Sequence, residues 1–447
     1  MIKRDIWIKL IKDSLEFKLP EITERDINIQ ELPIKRAVTI IGPRRAGKTY
    51  LMFQVMKDLL GKNIEKNRLL YMNMESDLLI GCDLTDIRNL FQIFYEIYPE
   101  NKNQKVYLFL DEIQIIPEWE KFVRAIIDSE NIQIFISGSS SKLLSKEIAT
   151  GLRGRTIPYY VYPFSFREFL RAKDFKIETY LSTSQKSILL NHLGKFMTGS
   201  YPETVFFEDG KEKILREIID VTIYRDVVER FNVKNIKVLK LLLRNLIASN
   251  YFSVHGFYNY LKSMGIKVSK NTLYSYIDNF SDAIVLFTLR KYSQSYKKKE
   301  QTIPKPYFVD NGLLVINGIE SRGRLMENAV FMELIRRGFS TENDLFYFDS
   351  QKEVDFVMKK GEKITQLIQV CYDIDDFRTK ERELSALVRA GKELECSDMI
   401  VITYDHESSE EYDNYLIKFV PVWKWMLEFP DFFTHASIFS GPQGRWH

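Results

Sequence analysis

The sequence predicts an α/β protein built from an N-terminal α/β core, a helical middle and a second, smaller α/β domain. Three observations carry that expectation. A β-branched run at 37–41 leads straight into a glycine loop and then into a segment of helical spacing. A continuously apolar run at 106–110 ends in two adjacent acids, as a strand buried on both faces would. After Pro163 the pattern becomes mostly helical, and a series of short strand-like runs begins at Phe346. At 447 residues the chain exceeds one ordinary core, so domains at 1–165, 166–318 and 319–447 are expected.

The loop comes first. Gly42, Pro43, Arg44, Arg45, Ala46, Gly47, Lys48 and Thr49 spell GxxxxGK[ST] between a strand and a helix, which is the context a P-loop needs. Glycines let backbone N–H groups turn inward around phosphates, and the helix N-terminus adds positive potential there. Lys48 is expected to bridge the β- and γ-phosphates of ATP, and the Thr49 hydroxyl to sit on Mg²⁺. The acids after the second strand, Asp111 and Glu112, resemble a Walker B motif. That likeness gives Asp111 to Mg²⁺ and Glu112 to polarising the attacking water.

A third strand at 132–136 ends in serines, of which Ser137 and Ser139 could sense the γ-phosphate or orient water. A serine-rich turn capping the next helix is the competing reading. In the glycine-flexed turn 151–155, Arg153 and Arg155 could reach the γ-phosphate of a neighbouring subunit, as an arginine finger does. Their alternative is a solvated surface.

With GPRRAGKT, LFLDEIQ, ISGSSSKLL, LRGR, YPFSFREFL, GRLMENAVFMELIRRG and KEVDFVM in order, the chain resembles the AAA-type ATPases common in archaea and bacteria. Those proteins carry a C-terminal domain of long-unknown function. The resemblance implies an AAA+-like α/β core, ATP hydrolysis and assembly into a homo-oligomer.

In the middle, helical stretches at 236–248, 254–264 and 272–280 precede two β-rich runs, 284–292 and 306–309, around a basic tip. That outline resembles a winged helix-turn-helix. Lys270, Lys297, Lys298 and Lys299 are then the candidate DNA contacts, with Tyr274 and Tyr276 available for stacking. A lid or a protein-contact module fits the same outline.

The last part places a helix at 322–338 before strand-like runs at 346–348, 353–357 and 364–370. This order resembles the PD-(D/E)XK nuclease core, with Glu327 on the helix, Asp355 on one strand, and Gln369 and Cys371 on the next. Such nucleases need oxygen ligands on a metal and a lysine two places after the second of them. Here that place holds Cys371, so a nuclease-like fold without cleavage is expected, unless a lysine such as Lys359 or Lys360 substitutes. The stretch 395–413 carries seven acids and reads as a solvated acidic surface.

Bulk properties narrow the function. A net charge of +3 does not demand nucleic acid, so DNA as a partner rests on local patches. The three cysteines are odd in number and far apart, which excludes a disulfide framework and a CxxC metal site and suits a cytoplasmic protein. No run approaches the ~18 apolar residues of a membrane span, and the charged N-terminus lacks a signal-peptide core. The expectation is a Mg-dependent, oligomeric ATPase that binds or remodels DNA. Its rivals are an ATP-controlled switch acting on a protein partner and, less well supported, an ATP-controlled nuclease.

Overall fold

A computed structural model describes residues 2–29, 35–138, 152, 154–293 and 302–428. The chain forms two compact units. One comprises Met1–Phe164, Tyr201–Lys234 and Asp278–Val285, and the other Ser165–Ser200, Asn235–Ile277 and Leu286–His447. Among the described residues, no helix is long and apolar enough to cross a membrane.

In the first unit, β1 (Ala37–Ile41), β2 (Leu69–Asn73), β3 (Val106–Asp111), β4 (Ile132–Gly138) and β5 (Thr156–Tyr160) form one parallel sheet. Their order is β2-β3-β4-β1-β5. β1, β3 and β4 are buried along their whole length, as interior parallel strands with covered faces must be. Parallel neighbours need crossovers, and helices Lys48–Gly61, Leu84–Ile97 and Trp119–Ser129 supply them. The helix Leu84–Ile97 starts cleanly because Asp83 and Asp86 form a capping box.

Register decides what meets at the strand ends. β3 pairs Leu110 with Ile136, so Asp111 and Ser137 stand side by side one step further on. β1 pairs Ile40 with Ser137 on the other flank, which brings the glycine loop to the same place. The helices Pro202–Phe206 and Lys211–Val221 also belong to this unit, and the second continues as a π-helical turn, Thr222–Glu229.

The second unit holds helices Ile236–Ala248 and Val254–Ser263, and the helix Lys270–Asp282 begins in it. That last helix starts at Lys270 because Ser269 Oγ accepts the Thr272 N–H at 3.0 Å, a side-chain cap. An antiparallel pair follows, β6 (Leu286–Leu289) with β7 (Lys305–Phe308).

Next come the helix Arg322–Arg336 and a mixed six-stranded sheet. Its strands are β8 (Leu345–Asp349), β9 (Glu353–Lys360), β10 (Lys363–Cys371), β11 (Met399–Thr403), β12 (Ser408–Tyr412) and β13 (Tyr415–Pro421). The order is β12-β13-β11-β10-β9-β8, and the helix Phe377–Leu394 packs against β10. The stretch 395–413 is therefore not one solvated acidic surface. Its apolar centre is the fully buried β11, and Glu410 and Asp413 pair with Lys380 and Lys392.

Candidate functional site

The loop 42–49 is shaped by two glycines. A Cβ on Gly42 would lie 2.0 Å from the Val161 carbonyl oxygen, so no side chain fits there. Gly47 has φ +99°, a left-handed conformation that L side chains rarely adopt. The helix then opens with Lys48, whose side chain is only 5% exposed. Among the described residues its Nζ reaches one hydrogen-bond acceptor, the Pro43 carbonyl at 3.1 Å, and Glu112 Oε1 lies at 3.9 Å. Burial pulls the Lys48 pKa down, with Glu112 and Asp111 opposing it in part. This is a buried cation short of anionic partners.

Beside it, Thr49 Oγ1 donates to Asp111 Oδ2 at 2.7 Å. Tyr71 OH donates to the same oxygen at 3.0 Å, and burial followed by the Asp111 charge raises its pKa, so it stays a donor. Ser137 Oγ donates to Asp111 Oδ1 and accepts the Glu112 N–H at 3.1 Å. Ser137 thus ties the two acids together. Glu112 itself sits at φ +55°, and its Oε2 accepts from Gln114 Nε2 at 2.5 Å. A hydroxyl and a carboxylate at this separation form the hard oxygen pair Mg²⁺ prefers, so these residues fit that ion.

The loop is also clamped from outside. Arg25 donates from Nη1 to the Ala46 carbonyl at 2.7 Å and from Nη2 to the Tyr162 carbonyl at 2.5 Å. Arg44 Nε pairs with Asp226 at 2.8 Å, while Arg45 bridges Glu203 and Glu217 at 2.7 and 2.8 Å. The two loop arginines therefore direct their side chains to carboxylates of the segment 203–226. Sequence reasoning missed Arg25, Tyr71 and Asp226, since no local pattern marks them, and it gave no role to Gln114, which closes the quoted LFLDEIQ run. Arg155 pairs with Asp128 in a half-exposed contact on this unit's surface. Ser139 and Arg153 lie outside the described residues.

In the second unit, Lys270 Nζ lies 2.7 Å from His255 Nδ1 and 5.3 Å from the Tyr258 ring centroid. Lys297, Lys298 and Lys299 lie outside the described residues. Glu327, Asp355 and Gln369 do come together. Asp355 N–H donates to Gln369 Oε1 at 3.2 Å, Asp355 Oδ2 accepts the Val370 N–H at 3.0 Å, and Gln369 Nε2 donates to Glu383 Oε2 at 2.5 Å. The Cys371 thiol donates to the Asp373 carbonyl at 3.2 Å, and burial pushes its pKa up to about 12.

Lys359 pairs with Glu362 at 3.4 Å. The cation found at the cluster is Lys305, which sequence reasoning also missed. Its Nζ lies 2.7 Å from Glu327, 2.6 Å from Glu353 and 3.3 Å from Asp355. Burial works to lower the Lys305 pKa, yet Glu327 and Asp355 hold it above its ordinary value. Burial raises both Glu353 and Asp355, and for Asp355 the Glu327 charge adds to the rise. Three acids share one ammonium, so the surplus negative charge favours protonation.

Comparison with known proteins divides the chain into three stretches. An AAA domain matches residues 34–170, a domain of unknown function (DUF8612) matches 195–322, and a further one (DUF4143) matches 322–425. The uncharacterized protein MJ1544 of Methanocaldococcus jannaschii is 40% identical over 442 residues, covering 96% of this chain and 96% of its own. An uncharacterized protein of Haemophilus influenzae is 32% identical over 397 residues, covering 87% and 94%. Among solved structures, Cdc6p of Pyrobaculum aerophilum overlaps 67% of this chain and 88% of its own at 15% identity. Its TM-score of 0.25 is too low to carry an argument. The strand–loop–helix at 37–61, the AAA match and the two near-full-length relatives agree: the chain belongs to the family of these M. jannaschii and H. influenzae proteins, with an AAA-type nucleotide-binding core.

Proposed function

We propose that this protein binds ATP with Mg²⁺ and hydrolyses it at the loop 42–49, Asp111 and Glu112. One observation carries the reading: Thr49 and Asp111 meet at 2.7 Å next to a buried lysine that lacks a close anionic partner. Loop N–H groups and Lys48 would hold the β- and γ-phosphates, which supply the missing negative charge. When bound, Mg²⁺ offsets charge on the phosphate oxygens, and Thr49 and Asp111 are the residues that would hold it. Glu112, aimed by Gln114, would polarise the water, while Tyr71 and Ser137 fix the carboxylate of Asp111.

Isothermal titration with ATP in Mg²⁺ and in EDTA, alongside phosphate release, tests this directly. A Thr49→Val chain that binds and turns over ATP as the parent does would sink it.

We further read the assembly as a homo-oligomer in which Arg153 or Arg155 acts across a subunit boundary. Mixing an Arg155→Ala chain with a Glu112→Gln chain should then restore turnover at mixed interfaces. The middle we read as a winged helix that contacts DNA. The supporting observation is that Lys270 and Tyr274 are exposed one turn apart on the helix Lys270–Asp282, which the β6–β7 pair follows; Tyr276, expected to stack with them, is buried instead. ATPase rates with and without single-stranded, duplex and branched DNA separate this from a nucleotide switch acting on a protein partner. The C-terminal domain we read as nuclease-like in fold and inactive in cleavage.

A further inference from the structure

The acids of the C-terminal domain converge on a point that is already filled. Glu327 comes from the helix Arg322–Arg336, and Glu353 and Asp355 come from β9. Lys305 enters from β7 with its side chain 5% exposed, and its Nζ has a carboxylate oxygen at 2.6, 2.7 and 3.3 Å. An ammonium has three N–H donors, and each one here has an acid. Tyr307, two residues along the same strand, donates to Glu327 Oε1 at 2.6 Å.

A nuclease-like fold implies a divalent cation held by Glu327 and Asp355. Mg²⁺ needs its oxygens at about 2.1 Å, which would set the ion against the Lys305 nitrogen, where like charges repel. The residues do not fit that metal while the ammonium is in place. Nor does Lys305 resemble a lysine that activates water, because it has no donor left over for water or phosphate.

We propose that Lys305 is the resident counter-cation of this cluster, and that Glu327, Glu353 and Asp355 form a latent divalent-cation site which the chain's own ammonium keeps closed. This rests on the nuclease-like reading but assigns a different cause for inactivity. Beyond the absence of lysine at Cys371, another lysine stands where a metal would have to sit.

The test uses the full chain carrying Asp111→Asn, which silences the oxygen pair of the first unit, titrated with MnCl₂ without nucleotide. Free Mn²⁺ is read by electron paramagnetic resonance. With Lys305 present, no stoichiometric uptake is expected. The added Lys305→Met substitution should give one Mn²⁺ per chain, lost again when Asp355→Asn is combined with it. Uptake by the Lys305 parent that Asp355→Asn abolishes would overturn the inference, and so would a folded Lys305→Met chain that takes up none. If Lys305→Met fails to fold, Lys305→Met with Glu353→Gln removes one charge of each sign and carries the same test. Cleavage of supercoiled DNA by a Lys305→Met, Cys371→Lys chain scores the nuclease-like reading separately. Mn²⁺ uptake without cleavage counts against that reading while the inference stands.

Discussion

Among the described residues, two buried lysines stand at the centre of two acid-bearing sites, and they are opposite in state. Lys48 and Lys305 are both only 5% exposed. Lys48 has a carbonyl at 3.1 Å and its closest acid at 3.9 Å, and burial lowers its pKa. Lys305 has three carboxylates within 3.3 Å, and they hold its pKa up. Burial alone therefore does not distinguish a binding residue from a structural one. What distinguishes them is whether the protein itself supplies the counter-charge. At the first site the acids stand off from the ammonium, whereas at the second they surround it.

Replacing each lysine by methionine tests this difference most severely. Lys305→Met should lower the unfolding free energy by about 3–5 kcal/mol, because it strands buried carboxylates. Lys48→Met should leave stability unchanged or raise it by about 1 kcal/mol, since a poorly partnered ammonium costs desolvation. Amide exchange of β9–β10 and of β1–β4 reads the two effects, and equal losses would break the comparison.

The same Lys48→Met chain should lose ATP affinity by ~10²-fold or more, measured by calorimetry, as the phosphates lose their cation. Glu112→Gln sharpens the case within the first site. ATP should still bind, but single-turnover hydrolysis should slow by ~10²-fold or more, since only water polarisation is removed.

Changing pH probes the second site. Glu353 and Asp355 have folded pKa values raised above the ordinary carboxylate value of about 4, so the folded state binds more protons than the unfolded one. By linkage, their stabilisation is full in acid and is lost as pH rises from that range through neutrality. Raised Lys305 acts in the same direction at higher pH. Exchange protection of β9–β10 should therefore fall on going from mildly acid to mildly alkaline buffer, and a rise would contradict the assigned shifts. The smallest effect is Tyr71→Phe, which removes one donor to Asp111. It should weaken Mg²⁺-dependent ATP binding by about 0.5–1.5 kcal/mol, leaving binding in EDTA unchanged.

The phosphate loop was legible because its information is local. Gly42, Gly47, Lys48 and Thr49 lie within eight residues, and the strand and helix around them have plain periodicities. Asp111 and Glu112 were legible as the end of an apolar run. Ser137 was singled out but not its job, since its contact with Asp111 depends on the β3–β4 register, which hydrophobicity does not encode. Tyr71, Arg25 and Asp226 were invisible because each acts through tertiary contact with a residue 40, 21 and 182 positions away.

Lys305 was missed for a related reason: the cation arrives from a strand 50 residues before Asp355, outside the local pattern of 322–371. The reading of 395–413 failed because counting charges across the window hid the five-residue apolar strand inside it.

The clamps on the phosphate loop also set a schedule for biosynthesis. Arg45 waits for carboxylates 158 and 172 residues downstream, and Arg44 for one 182 residues downstream. On the ribosome, β1 to β5 emerge and can pair well before Asp226 exists, and the unit also needs Asp278–Val285. Contacts of such sequence separation form late, because their loop-closure entropy must be met first. A nascent chain can thus display GPRRAGKT on a formed sheet while its arginines are still untethered. The first unit is completed only after two segments of the second, Ser165–Ser200 and Asn235–Ile277, have been made.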